Sequence, residues 1–89
     1  MIQQELEIIN KLGLHARAAA KLVKLSSSFA ASIDIEKDGQ RVNSKSIMGV
    51  MMLAASMGSK VTVSADGEDE EDALAAVVDL INRRFDEEE

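Results

Sequence analysis

The stretch Ile2–Ser27, IQQELEIINKLGLHARAAAKLVKLSS, changes its hydrophobic period partway along, and that change sets the fold class. From Ile2 to Ile8 the pattern alternates. Ile2, Leu6 and Ile8 lie on one side and Gln3, Glu5 and Glu7 on the other, as in a strand with one wet face. From Ala16 to Ser27 the period becomes helical, with Ala18, Ala19, Leu22, Val23 and Leu25 on one stripe. The joint between strand and helix is Lys11-Leu12-Gly13-Leu14, and the chain's one histidine, His15, follows it directly.

Alternation returns at Ala31–Lys37, where Ile33 and Ile35 oppose Ser32, Asp34 and Glu36. Asp38-Gly39 is a dipeptide favoured in tight hairpins, so a short strand around Arg41–Asn43 should pair back. Asn43, Ser44 and Ser46 offer N-caps for a helix over Ile47–Ala55, which Gly58 is placed to end in a left-handed conformation. A fourth strand, Lys60–Ala65, directs Val61, Val63 and Ala65 inward and Lys60, Thr62 and Ser64 to water. The last helix carries Leu74, Val77, Val78, Ile81 and Phe85 as one stripe, with acids in its first turn and Arg83 and Arg84 at its close. The tail from Asp86 is expected to fray.

The order βαββαβα in 89 residues predicts an α+β fold, an open-faced two-layer β-sandwich with three helices on one face of a four-stranded, largely antiparallel sheet. A ferredoxin-like βαββαβ arrangement with an added helix has the same element order, and periodicity does not decide strand order. The length and the 46% hydrophobic content suit a single domain over residues 1–89. There is no cysteine, so no disulfide or thiolate metal site is expected.

Signal-peptide and membrane-span patterns are absent, which predicts a cytoplasmic protein with no membrane insertion. A net charge of -6, two Phe, and no Trp or Tyr argue against nucleic-acid binding. The acids concentrate between Asp66 and Glu89, while Lys11, Arg17, Lys21, Lys24, Arg41 and Lys45 lie earlier, so a basic patch is compatible with the acidic total.

His15 falls at a helix start, where the first backbone N–H groups have no helical acceptor and the dipole is positive. That is a general arrangement for holding phosphate. Arg17 adds a guanidinium able to grip phosphoryl oxygens, and Arg17, Lys21 and Lys24 share a helical face by their spacing. A neutral imidazole is a nucleophile, and one with an ordinary pKa of ~6.5 is largely neutral at physiological pH. By residue type alone, a histidine at a helix start is more often a surface residue or a cap. One histidine without cysteines or spaced carboxylates is a poor metal site, and no cofactor is implied.

Gly13–Ala20, GLHARAAA, resembles the active-site signature of the histidine-containing phosphocarrier (HPr) family of the bacterial phosphotransferase system. Val42–Leu53, VNSKSIMGVMML, resembles the family's second signature, and length and element order agree over essentially the whole chain. The resemblance implies that His15 takes a phosphoryl group from enzyme I and gives it to a histidine of an EIIA-type protein. Arg17 and the N–H groups of Ala16 and Arg17 would then hold the phosphoryl group. Where many relatives carry proline this chain has Ala18; if the backbone suits proline, the difference costs about 0.4–1 kcal/mol of stability without touching His15. Together with the RRFDEEE ending, Ala18 looks like the phosphocarriers of proteobacterial systems, including the nitrogen-related NPr branch.

Ile47, Met48, Val50, Met51, Met52 and Leu53 leave the second helix almost no polar face. Ile47, Met48 and Met51 form one arc opposite Val50 and Leu53, and flexible Met side chains suit a surface that meets several partners. All of them could equally be core. The family pattern favours a docking patch there, bordered by the basic residues Lys21, Lys24 and Lys45. Ser46 reads plainly as an N-cap; by the resemblance it is also a regulatory phosphorylation site for an HPr kinase/phosphorylase, which Lys45 would help recruit.

The leading reading is thus a monomeric phosphoryl carrier, an intermediate between partners' sites and not an enzyme in itself. The alternative is a regulatory interaction module in which His15 is incidental and the methionine helix binds the target.

Overall fold

A computed structural model describes residues 1–87. Strand β1 (Ile2–Glu7) leads through a loop to helix α1 (Ala16–Ser27). Strands β2 (Ser32–Lys37) and β3 (Gln40–Asn43) follow, then the short helix α2 (Ile47–Met52), strand β4 (Lys60–Asp66) and helix α3 (Glu70–Asn82). The sheet order is β1-β4-β2-β3, every neighbour antiparallel, so the last strand in the sequence lies inside the sheet. The fold is the open-faced α+β sandwich expected from the alternation, with three helices on one face.

Asp38 and Gly39, both at positive φ, close the β2–β3 hairpin as a two-residue turn whose twist matches the strands. The inward set Leu6, Ile33, Ile35, Val61, Val63 and Ala65 is buried and meets Ala18, Ala19 and Leu22 of α1 and Val77 and Ile81 of α3 in one cluster. No helix among the described residues is long and apolar enough to cross a membrane.

Four local readings change. Helix α2 stops at Met52, not Ala55: Ala54 takes a left-handed φ of 51°, which the helix cannot pass through, and the Ala55 carbonyl beyond it accepts from Leu14 N–H at 2.8 Å. Gly58 serves the turn into β4 instead, donating to the Ile8 carbonyl at 2.7 Å. Ser64 is only 5% exposed because β4 is central and Ser64 lies between Gln3 and Asp34 on the flanking strands. Phe85 is fully buried but not on α3, whose stripe is completed by Ala73 and Leu80. Arg84, Phe85 and Asp86 form a turn at φ between 55° and 62° that folds the ring back onto the core, with Arg83 bonded to Asp79 and Asp86 beside it.

That turn also overturns the expectation of a fraying tail at Asp86 and Glu87; Glu88 and Glu89 lie outside the described residues. The buried hydroxyls of Ser26 on α1 and Ser44 after β3 lie 2.9 Å apart, and Ser44 also donates to the Ile33 carbonyl, so the helix face tolerates a polar residue only because its partner arrives from β3.

Where α3 begins, Gly67 approaches Ala31 so closely that a Cβ on Gly67 would stand 2.7 Å from the Ala31 Cα. Asp69 completes this junction: its carboxylate accepts from Ala30 N–H at 2.9 Å and Ala31 N–H at 2.8 Å. The Ala30 bond is the largest influence holding the Asp69 carboxyl below its usual pKa, against the opposing effect of burial, with Ala31 and the Lys45 charge assisting. A carboxylate with a lowered folded pKa contributes stability above its unfolded value, and loses it as pH falls through the folded one. The thermal midpoint of the wild type should therefore exceed that of Asp69→Asn at neutral pH, with the gap closing below about pH 4, where the unfolded carboxyl protonates. A gap independent of pH would show that the charge on Asp69 is irrelevant.

Candidate functional site

The loop between β1 and α1 is tied down from both sides. Ile8 N–H donates to the Ser59 carbonyl, and Asn10, fully buried, donates from Nδ2 to the Gly13 carbonyl at 2.8 Å. Gly13 has φ of 66°, and a Cβ there would sit 2.4 Å from the Ala55 carbonyl oxygen. The two sequence motifs therefore meet: Gly13 and Leu14 of the first lie against Ala55 and Ser56, just past the second. Gly13→Ala combines a left-handed alanine with a backbone clash, and an unfolding titration should show a loss of about 2–3 kcal/mol. A change under about 0.5 kcal/mol would mean that the loop yields freely.

His15 is the N-cap of α1, with extended backbone, and its carbonyl accepts the helix's first bond from Ala19 N–H at 2.8 Å. Its Nδ1 faces the Arg17 N–H at 3.4 Å, and its Nε2 is hydrogen-bonded to the Glu87 carboxylate. The ring is about a quarter exposed, with 26% of the side chain accessible. Ala16 and Arg17 are exposed, so the anion-holding surface read from the sequence is open; one of its two N–H groups, that of Arg17, is directed at Nδ1. Ala18 is fully buried within the first turn, in the core cluster.

Glu87 reaches this site from the turn after α3, and its other oxygen accepts from Asn10 Nδ2 at 2.9 Å. Its carboxyl sits below the usual range: burial pushes it up, but the bonds from Asn10 and His15 and the nearby charges of His15 and Arg17 outweigh that. Neither Glu87 nor Asn10 was legible as a site residue. Asn10 reads as a turn residue, and Glu87 lies in an acidic run that looks solvated. The usable signal was Phe85, whose apolar ring just upstream demands that the chain return to the core.

Lys21 and Lys24 lie on the same side of α1 as Arg17, where Lys21 Nζ donates to the Phe85 carbonyl at 2.7 Å and Lys24 borders a groove with Leu80, Arg83 and Asp86. Lys45 is elsewhere: its Nζ donates to the Phe29 carbonyl at 2.8 Å, beyond the far end of α1, roughly 18 Å of helix from His15. Ser46 caps α2, its Oγ accepting from Gly49 N–H at 3.1 Å. Ile47, Met48 and Met51 are exposed, by 43%, 70% and 41%, while Val50 and Leu53 are buried, which separates the two arcs of α2 as their spacing suggests. Leu12, Met52 and Met57 are exposed as well.

A family model described as the PTS HPr component phosphorylation site matches residues 2–83. The chain is 53% identical over 87 residues to the phosphocarrier protein HPr of Cupriavidus necator, covering 98% of each chain. It is 51% identical over 74 residues to the HPr-like protein Crh of Bacillus subtilis, covering 83% of this chain and 87% of Crh. Among solved structures, an HPr from Thermoanaerobacter tengcongensis superposes with a TM-score of 0.97 at 52% identity, covering all of both chains.

Proposed function

The chain belongs to the HPr family of phosphotransferase-system phosphocarriers, and from that premise we propose that it accepts a phosphoryl group from enzyme I on His15 and passes it to an EIIA-type protein, in sugar uptake or in nitrogen-related regulation. The observation that carries this reading is His15 at the N-terminus of α1, with Nδ1 at the helix start and the exposed Ala16–Arg17 segment beside it. An anion on Nδ1, which takes up the lone pair that the Arg17 N–H faces, would meet the backbone N–H groups of the helix start, the positive helix end and the Arg17 guanidinium. The protein works in the cytoplasm as a monomer, because His15 and the surface formed by Ile47, Met48 and Met51 must both be free to meet successive partners.

Lys21 and Lys24 line the groove between α1 and the turn after α3, where they would offer positive charge to an acidic partner, and Lys45, at the other end of α1, lies beside Ser46. Phosphorylation of Ser46 by an HPr kinase/phosphorylase would leave the cap in place and set negative charge beside Met48 and Met51. The second reading, a regulatory module acting through α2, draws on the exposure of that same apolar arc.

The test is phosphate incorporation from phosphoenolpyruvate with purified enzyme I, followed by addition of EIIA proteins and intact-mass analysis. One acid-labile phosphate that moves to an EIIA supports the carrier; no labelling by a competent enzyme I puts the regulatory module ahead. Ser46→Asp, which keeps an N-cap but adds charge, should slow labelling at limiting enzyme I by roughly tenfold. An unchanged rate would remove Ser46 from the docking surface.

A further inference from the structure

The imidazole of His15 is held by both nitrogens, and the two contacts specify the same tautomer. Nδ1 faces the Arg17 N–H, which can only donate, so Nδ1 carries the lone pair. Nε2 faces the Glu87 carboxylate, which when ionised can only accept, so Nε2 carries the proton. Glu87 is itself held in place: Asn10, fully buried, donates to its second oxygen, and only 13% of the Glu87 side chain is accessible. The Phe85 ring, buried two residues earlier, and the Lys21 bond to its carbonyl fix the segment that delivers it. A carboxylate that orients an imidazole and fixes its tautomer through the nitrogen away from the reacting one is a recurrent device for selecting which nitrogen acts.

We infer that Glu87 is a positioning residue for phosphoryl transfer: by holding the proton on His15 Nε2 it makes Nδ1 the nucleophile, and it keeps that proton on the ring once Nδ1 is phosphorylated. The inference rests on the carrier reading for its biological role. In the accepting step the Nδ1 lone pair forms the bond to phosphorus as the donor's bond to phosphorus breaks, its electron pair returning to the donor. The ring keeps the Nε2 proton and becomes cationic, and the Glu87 carboxylate faces that charge. In the onward step a lone pair of the acceptor protein's imidazole forms the new bond to phosphorus as the electron pair of the Nδ1–phosphorus bond returns to Nδ1, and the His15 ring leaves as a neutral imidazole that still bears its Nε2 proton. Without Glu87 the phosphorylated ring loses that proton more readily. The leaving group then becomes an imidazolate, which departs far less easily.

The experiment compares wild type, Glu87→Gln and Glu87→Ala, phosphorylated chemically with phosphoramidate so that no partner protein is needed. Nitrogen-15 spectra of the unphosphorylated ring should show a slowly exchanging Nε2 proton in the wild type, a weaker one in Glu87→Gln, and none in Glu87→Ala. Loss of phosphate from the isolated phosphoproteins at neutral pH should be about tenfold slower in Glu87→Ala, the loss expected for one hydrogen bond to a charged group, and intermediate in Glu87→Gln, whose neutral amide still accepts. Identical ring spectra and identical rates in all three would overturn the inference. So would faster phosphoramidate labelling of both variants with an unchanged ring spectrum, which would mean that Glu87 only shields the site. Failure of enzyme I to label the wild type, with these differences intact, would count against the carrier reading and leave the role of Glu87 standing.

Discussion

His15→Ala abolishes the acid-labile phosphate completely, in labelling by enzyme I and by phosphoramidate alike, because no other side chain in the sequence offers an imidazole. The fold should survive. His15 is a weak cap, its Nδ1 3.4 Å from the Arg17 N–H, so the stability lost is near the low end for caps, about 0.5 kcal/mol. Arg17→Ala separates the nucleophile from the cradle: it keeps the imidazole and removes a guanidinium that would grip phosphoryl oxygens. One or two charge-assisted bonds of about 1.5–3 kcal/mol predict labelling that is slower by roughly 10- to 100-fold. Intact mass after timed labelling measures both. An acid-labile phosphate persisting in folded His15→Ala sinks the assignment of His15, and an undiminished rate in Arg17→Ala removes Arg17 from the site.

Phe85→Ala has the largest expected effect on stability. The ring is fully buried, in a turn of three successive residues at positive φ that nothing local favours. Removing it leaves a cavity between α1 and α3, and truncations of this kind cost about 3–5 kcal/mol, a large part of the 5–15 kcal/mol that holds a small domain together. Once the anchor is lost the turn has no reason to persist, so the Lys21 bond to the Phe85 carbonyl and the Glu87 contacts with Asn10 and His15 should go with it. Denaturant unfolding gives the first quantity, and the Nε2 proton signal of His15 the second. A loss below about 1 kcal/mol would show that the ring is not the anchor of the turn. Phe85→Leu, which keeps most of the volume, should retain both.

How much of this was readable beforehand depends on the range of the interaction. The alternation in β1, β2 and β4 and the stripe of α1 are repeated signals in which each residue supports its neighbours, and the α1 limits, Ala16 and Ser27, agree with the spacing. Helix α2 failed at its C-terminal end because an alanine, Ala54, and not a glycine, takes the left-handed position that ends it. Phe85 fits the helical stripe of α3 by spacing, yet the chain leaves the helix before reaching it. Ser26 and Ser44 look like solvent residues in isolation and are buried only because each supplies the other's partner.

The candidate site divides in the same way. A histidine at a helix start followed by an arginine is local information, written in five residues from Gly13 to Arg17. Its companions are not: His15 and Glu87 are 72 positions apart, and Asn10 and Glu87 are 77 apart. By itself, the order of residues determined which segments are strands and helices, the apolar face of β1, β2, β4 and α1, the α+β class, and the position of the one imidazole at a helix N-terminus. Tertiary structure alone decided that β4 lies between β1 and β2, that α2 stops at Met52, and that the acidic end turns back to place a carboxylate on Nε2. Periodicity sums contributions over neighbouring residues and survives any single exception. A contact between distant residues depends on one geometry of the whole chain, and no local pattern records it.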